Sequence, residues 1–208
     1  MSVRIANSRG VPGTLGCLAR TVHQHRPVFL TSCHVLFAAG AARRDPVWRI
    51  DETEGRRHYQ RIGSALQGKC AIVRFRGDDY YVDCAIGTLD EPHAGDGLRI
   101  ATPKHGGRVV KTGAATGTTT GVIVDSSYTA DAATGGRAHS ATPRQLLIRS
   151  SDARQPFAAE GDSGALILDE NDAVVGLLWG TTVAGESVAC PIGPVLHALN
   201  IRLGEAGA

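Results

Sequence analysis

Gly161-Asp162-Ser163-Gly164 is the stretch on which the reading of this chain turns, because two other segments stand in line with it. Upstream lies Phe29-Leu30-Thr31-Ser32-Cys33-His34-Val35-Leu36, an apolar run that ends on a histidine. Between them lies Tyr80-Tyr81-Val82-Asp83-Cys84-Ala85-Ile86, a second apolar run with an aspartate embedded in it. A lone Gly-Asp-Ser-Gly is a polar turn. Three such segments in the order His, Asp, Ser, 49 and then 80 residues apart, are a different matter. The same constellation comes in other chain orders in other folds, so order is itself diagnostic.

The chemistry fits the residue types. A serine hydroxyl is a poor nucleophile unless a base lies beside it and donors await the oxyanion. Ser163 would attack, His34 would take its proton, and Asp83 would hold the other ring nitrogen and favour the imidazolium. Gly161 frees the backbone so that its own N–H and that of Ser163 converge as an oxyanion hole. Among the eight histidines, only His34 terminates an apolar run. His23, His25, His58, His93, His105 and His139 lie in polar or Gly/Pro-rich surroundings, and His197 falls in a helical segment. Asp78, Asp79, Asp90 and Asp96 sit in turn-like sequence, where solvated aspartate is the default. Asp83 is flanked by Val82, Ala85 and Ile86, and a buried carboxylate needs a partner.

Strand-like runs recur along the chain at short intervals. Residues 15–22 and 27–32 flank His23-Gln24-His25-Arg26; residues 70–75 and 80–89 flank Gly77-Asp78-Asp79. Further runs cover 98–101, 109–111, 121–125, 145–149, 165–168, 174–179 and 187–191. Many short strands with frequent turn residues predict an all-β sandwich or barrel. Residues 35–42 and 194–203 read as short helices, and 126–143, rich in Ser, Thr, Ala and Gly, as a long exposed loop. The best internal boundary is 102–107, giving halves over 1–101 and 108–208.

Bulk properties narrow the function. The 208 residues carry a net charge of +2, which gives no electrostatic case for nucleic acid or an anionic membrane. Arg43-Arg44 and Arg56-Arg57 read as solvated pairs. No secretory leader is visible over residues 1–19, and no run approaches a membrane span. Five cysteines without a Cys-x-x-Cys pair suit reduced thiols and a cytoplasmic setting. If the first hairpin turns about His25, Cys17 faces Cys33, as two small buried thiols or a bridge. His23 and His25 lack a second ligand pair, so no metal is expected, nor any organic cofactor.

These segments resemble the chymotrypsin-like (trypsin-fold) serine peptidases, from Gly13-Thr14-Leu15-Gly16 to the C-terminal helix. Lys111-Thr112-Gly113 through Thr119-Thr120-Gly121-Val122 is similar to a segment of their prokaryotic intracellular members. The resemblance implies two six-stranded antiparallel β-barrels with the active site between them. It implies a triad of His34, Asp83 and Ser163, with Gly161 and Ser163 as oxyanion donors. Leu178-Trp179-Gly180 would bind the substrate backbone as an added strand. Phe157, six residues before the serine, and Ala158 would form an apolar primary pocket with Glu160 at its rim. That pocket predicts an apolar or small residue before the cut. In zymogen-activated relatives the aspartate before the serine pairs with a new N-terminus. No such cleavage site is evident here, which leaves Asp162 to brace the turn. The expected partners are a protein or peptide substrate and a regulatory protein. A non-catalytic trypsin-fold binding module and a serine esterase are the alternatives.

Overall fold

The computed structural model describes residues 2–91, 97–130 and 141–203. Its chain runs β1 (Val3–Ala6), β2 (Pro12–Leu15), β3 (Cys17–Thr21), β4 (Pro27–Thr31), α1 (Cys33–Phe37), β5 (Pro46–Thr53), β6 (Arg56–Phe75) and β7 (Asp78–Leu89). A second series follows: β8 (Arg108–Gly113), β9 (Gly117–Ala130), β10 (Thr142–Ser150), β11 (Leu166–Asp169), β12 (Val174–Thr181), β13 (Ser187–Pro191), α2 (Ile192–Leu199) and β14 (Ile201–Leu203).

Two-residue turns set the longest hairpin. Thr53 opposes Arg56 across Glu54-Gly55, and Phe75 opposes Asp78 across Arg76-Gly77. All four turn residues have positive φ, the conformation that matches the twist of paired strands. β5, β6 and β7 thereby form a long meander in an eight-stranded sheet of order β14-β3-β4-β7-β6-β5-β1-β2. The second unit is a closed antiparallel barrel, β10-β13-β12-β11-β8-β9. The all-β, two-unit architecture with a C-terminal helix is therefore present. The first sheet holds eight strands, with β14 at one edge beside β3 and the β1–β2 hairpin at the other.

One buried cluster joins the two units. Leu30, Cys84 and Ile86 from the sheet pack with Leu177, Val188 and Cys190 from the barrel, and with Val195 and Leu199 of α2. The barrel interior has its own core, including Ile123, Ile148, Phe157, Ala165 and Leu178.

Several local expectations change. The helix foreseen over 194–203 ends at Leu199, where Asn200 takes the left-handed conformation (φ 53°). Ile201 and Leu203 are buried on alternate positions of β14, not on a helical face. The loop foreseen over 126–143 is strand at both ends. Tyr128 pairs with Gln145 and Ala130 with Thr142, while 131–140 lie outside the described residues. Thr and Tyr suit a pleated surface, and composition alone had masked that. Residues 98–101 provide one bridge, Ile100 to Val174, rather than a strand. In the first hairpin Cys17 faces Leu30, three residues short of the foreseen register, and Cys33 opens α1, so the two are not cross-strand neighbours.

Candidate active site

His34 sits in the first turn of α1, directly after the buried end of β4. Asp83 lies in β7, beside β4 in the sheet, so both residues meet at one end of the first unit. The Asp83 carboxylate accepts the His34 backbone N–H at 3.1 Å and contacts His34 Nδ1 at 2.9 Å. The two contacts fix both the main chain and the ring of the histidine. His34 remains 24% exposed at its side chain, against 5% for Asp83. The ring thus has one nitrogen bound to the carboxylate while part of its surface remains open to solvent. The Asp83 N–H is capped in turn by Cys190 Sγ at 3.3 Å, from β13 of the barrel.

Ser163 belongs to the barrel, on the segment leading into β11, and is partly buried. Its carbonyl accepts the Thr14 N–H at 2.8 Å. Thr14 is buried and reaches three ways: its hydroxyl donates to the Gly161 carbonyl at 2.9 Å, accepts the Ala114 N–H at 3.0 Å, and its carbonyl accepts the Thr31 hydroxyl at 2.8 Å. Gly164 N–H and the Ser32 hydroxyl both donate to the Leu178 carbonyl, each at 2.8 Å. A Cβ on Gly164 would run into the Thr31 hydroxyl and the Thr14 carbonyl, so only glycine allows this approach. The serine segment is thereby pinned to Thr31-Ser32, two residues before His34. Gly161 holds φ at +99°, a conformation that frees its peptide from ordinary strand geometry.

Asp162 has a role that the sequence left open. It is fully buried, and five donors surround its carboxylate. These are the N–H groups of Ala115 (2.8 Å), Thr116 (3.2 Å) and Ala159 (3.0 Å), the Thr116 hydroxyl (2.7 Å) and Lys111 Nζ (3.1 Å). Lys111 is itself fully buried and also bonds the Thr116 hydroxyl and the Gly117 carbonyl. Burial pushes the Asp162 carboxyl up, but the Thr116 hydroxyl, the Ala159 and Ala115 N–H groups and Lys111 together hold it below its ordinary value. Burial pulls the Lys111 ammonium down, and Asp162 offsets part of that. The β8–β9 turn, residues 113–117, wraps this pair, and a Cβ on Gly113 would strike the carboxylate. Lys111 and Thr116 are the residues sequence reading missed. Their only trace was the Gly/Thr-rich stretch around Lys111-Thr112-Gly113.

The anticipated substrate-binding residues fall into two groups. Phe157 and Ala158 are buried in the barrel core, and the Phe157 carbonyl accepts the Thr119 hydroxyl at 2.6 Å. Ala159 and Glu160 are exposed. In β12, Leu178 and Trp179 are buried and Gly180 is partly exposed. The Trp179 ring lies 5.2 Å from that of Tyr81, tilted 56° to it, and its indole N–H donates to Gln145 at 2.7 Å. Gln145 donates to the Tyr81 carbonyl at 2.9 Å, so the indole forms part of the joint between sheet and barrel.

No protein-family model matches the chain, and no curated protein matches it in sequence. Solved structures do. A Nocardiopsis protease (NAPase) shares 17% identity over 97% of this chain and 96% of its own, with a TM-score of 0.61. A glutamic acid-specific serine protease shares 16% identity at TM-score 0.64, over 96% of this chain and 97% of its own. Thermobifida fusca protease A shares 19% identity at TM-score 0.57, over 97% and 96% of the two chains. Sheet, barrel, joint and terminal helix together make this the fold of the chymotrypsin-like serine proteases.

Proposed function

We propose that the chain is a serine endopeptidase working through an acyl-enzyme on His34, Asp83 and Ser163. The observation that carries this reading is the double contact of Asp83 with His34. Both oxygens of a buried carboxylate engage one histidine, whose ring stays partly exposed. His34 accepts the Ser163 proton as the hydroxyl attacks the scissile carbonyl. Asp83 stabilises the imidazolium, and the N–H groups of Gly161 and Ser163 receive the oxyanion. The imidazolium then protonates the leaving amine, and water repeats the sequence to release the acid.

Lys111 takes the place that a freed N-terminus holds in zymogen-activated relatives. The oxyanion segment is braced by an internal cation, so activity requires no cleavage. Specificity follows from what fills the primary pocket. With Phe157 and Ala158 buried and uncharged, a Lys or Arg side chain would be desolvated without a partner, which costs several kcal/mol. A small or apolar residue before the cut is favoured. Five thiols fit action in a reducing compartment such as the cytoplasm, and none of the described helices is long and apolar enough to cross a membrane. A protease braced to be active is held in check by narrow substrate choice or a regulatory protein.

A fluorophosphonate probe tests the reading. It should label Ser163 in the wild type and nothing in Ser163→Ala. Failure to label a folded wild type would leave a binding module as the better account, and ester cleavage without peptide cleavage would leave an esterase.

A further inference from the structure

Four of the five cysteines gather about Asp83. Cys84 follows it in sequence, Cys190 caps its N–H, Cys33 precedes His34, and Cys70 opposes Asp83 across the β6–β7 ladder. The electrostatic neighbours of Cys84 are Cys190, Asp83, Cys33 and Cys70. Because the Asp83 N–H points to Cys190, away from β6, Cys70 and Asp83 form a non-hydrogen-bonded pair. Such pairs bring Cα atoms to about 4.5 Å and side chains closest together.

The four thiols differ in access. Cys84 and Cys190 are sealed, and burial pushes both thiols up, keeping them protonated and inert. Cys70 is exposed, with its sulfur 3.0 Å from the Tyr81 hydroxyl. Cys33, at 9% exposure, is the least enclosed of the other cysteines. A Cβ built on Gly68 would lie 2.7 Å from Cys33 Sγ. Gly68 stands two residues before Cys70 on the same face of β6, about 7 Å along the strand. Both thiols therefore border one patch of β6, on the face that carries Asp83.

We propose that Cys33 and Cys70 are a redox pair that takes a hydroperoxide and switches off the site beside them; the consequence for activity rests on the serine endopeptidase reading. The Cys70 thiolate attacks the peroxide, the O–O bond breaks, and Cys70 becomes a sulfenic acid while the peroxide leaves as alcohol or water. The Cys33 thiol then displaces water from that sulfur, giving a Cys33–Cys70 disulfide. A disulfide needs Cβ atoms about 3.8 Å apart. Reaching that distance draws the start of α1 toward β6 and carries His34, the next residue, out of line with Ser163. A dithiol reverses the bond.

The test uses the full chain, reduced, desalted and exposed to hydrogen peroxide. Peptide mapping without reductant should find Cys33 linked to Cys70. Fluorophosphonate labelling should fall at least tenfold and return with dithiothreitol. Cys70→Ser and Cys33→Ser should keep their labelling under peroxide; Cys33→Ala serves if the serine variant does not fold. Oxidised wild type with no Cys33–Cys70 peptide overturns the proposal, as does a linked protein that labels as before. Mapping reads the bond itself, so a wild type that links under peroxide yet never labels even when reduced refutes the hydrolase reading, not the thiol pair.

Discussion

Two carboxylate contacts of nearly equal length flank the serine, His34–Asp83 at 2.9 Å and Lys111–Asp162 at 3.1 Å, and they are built differently. The first bridges an accessible ring and a buried carboxylate. The second is sealed on both sides, and three N–H groups and a hydroxyl join the lysine around one carboxylate. Under the proposed mechanism His34 must pass a proton within each turnover, and such a group needs a free face. A group that must hold a loop still needs every lone pair occupied. Spare hydrogen-bonding capacity thus separates the two pairs, although length does not.

Five measurements would break or sharpen that contrast. Ser163→Ala should lower turnover by several orders of magnitude and leave the melting temperature within a few degrees, since one partly exposed hydroxyl is lost. Residual wild-type turnover would mean another nucleophile. Asp83→Asn should keep the packing but present the wrong tautomer of His34, lowering kcat by about 10⁴. A loss of activity matched by a loss of folded protein would make Asp83 a bracing residue too.

Lys111→Met attacks the sealed pair. It leaves Asp162 buried beside its other donors without the cation, a change that typically costs about 3–5 kcal/mol in stability. Denaturant titration reads this directly, and Lys111→Met/Asp162→Asn should recover part of the loss. The same pair sets a pH dependence. The folded Asp162 carboxyl lies below its unfolded value, so its stabilisation is complete above that value, about 3.9. It is lost as pH falls through the lowered folded value, and the unfolding free energy of Asp162→Asn should fall less steeply with pH there than that of the wild type. Equal slopes would show that the carboxyl is not selectively stabilised. The smallest effect is expected at the exposed rim, where Glu160→Gln should move kcat/KM for peptides with an apolar residue before the cut by no more than about twofold. A rise of tenfold or more for such peptides would bring Glu160 into the pocket.

The fold and the His34–Asp83 contact were legible because each rests on local pattern. An apolar run ending in histidine and an acid inside a second run carry their own burial argument. Turn chemistry marked the β6–β7 hairpin to within two residues. The bracing pair was not legible, since Lys111 and Asp162 are 51 residues apart and lysine reads as solvated until its surroundings are known. Register failed for a related reason. One residue's shift at a loop such as 22–26 leaves composition unchanged and moves every cross-strand partner. The end of α2 was hidden because Leu199 and Leu203, four residues apart, continue the helical spacing of Val195 and Leu196, and that interval suits a strand equally well until Asn200 turns left-handed.

The pairing of β14 with β3 bears on the order in which the molecule can be made. Ile201 lies opposite Thr21 and Leu203 opposite Ala19, so the sheet bearing His34 and Asp83 takes an edge strand synthesised after Ser163. A chain emerging from the ribosome lays down the histidine half first, yet that half lacks its last strand until the serine half has left the tunnel. The strand thus ties completion of the first half to synthesis of the second. A nascent fragment long enough to contain the whole triad but ending before Ile201 still has an open edge at β3. The edge at β3 is filled only once β14 has emerged, when the barrel that carries Ser163 is already complete.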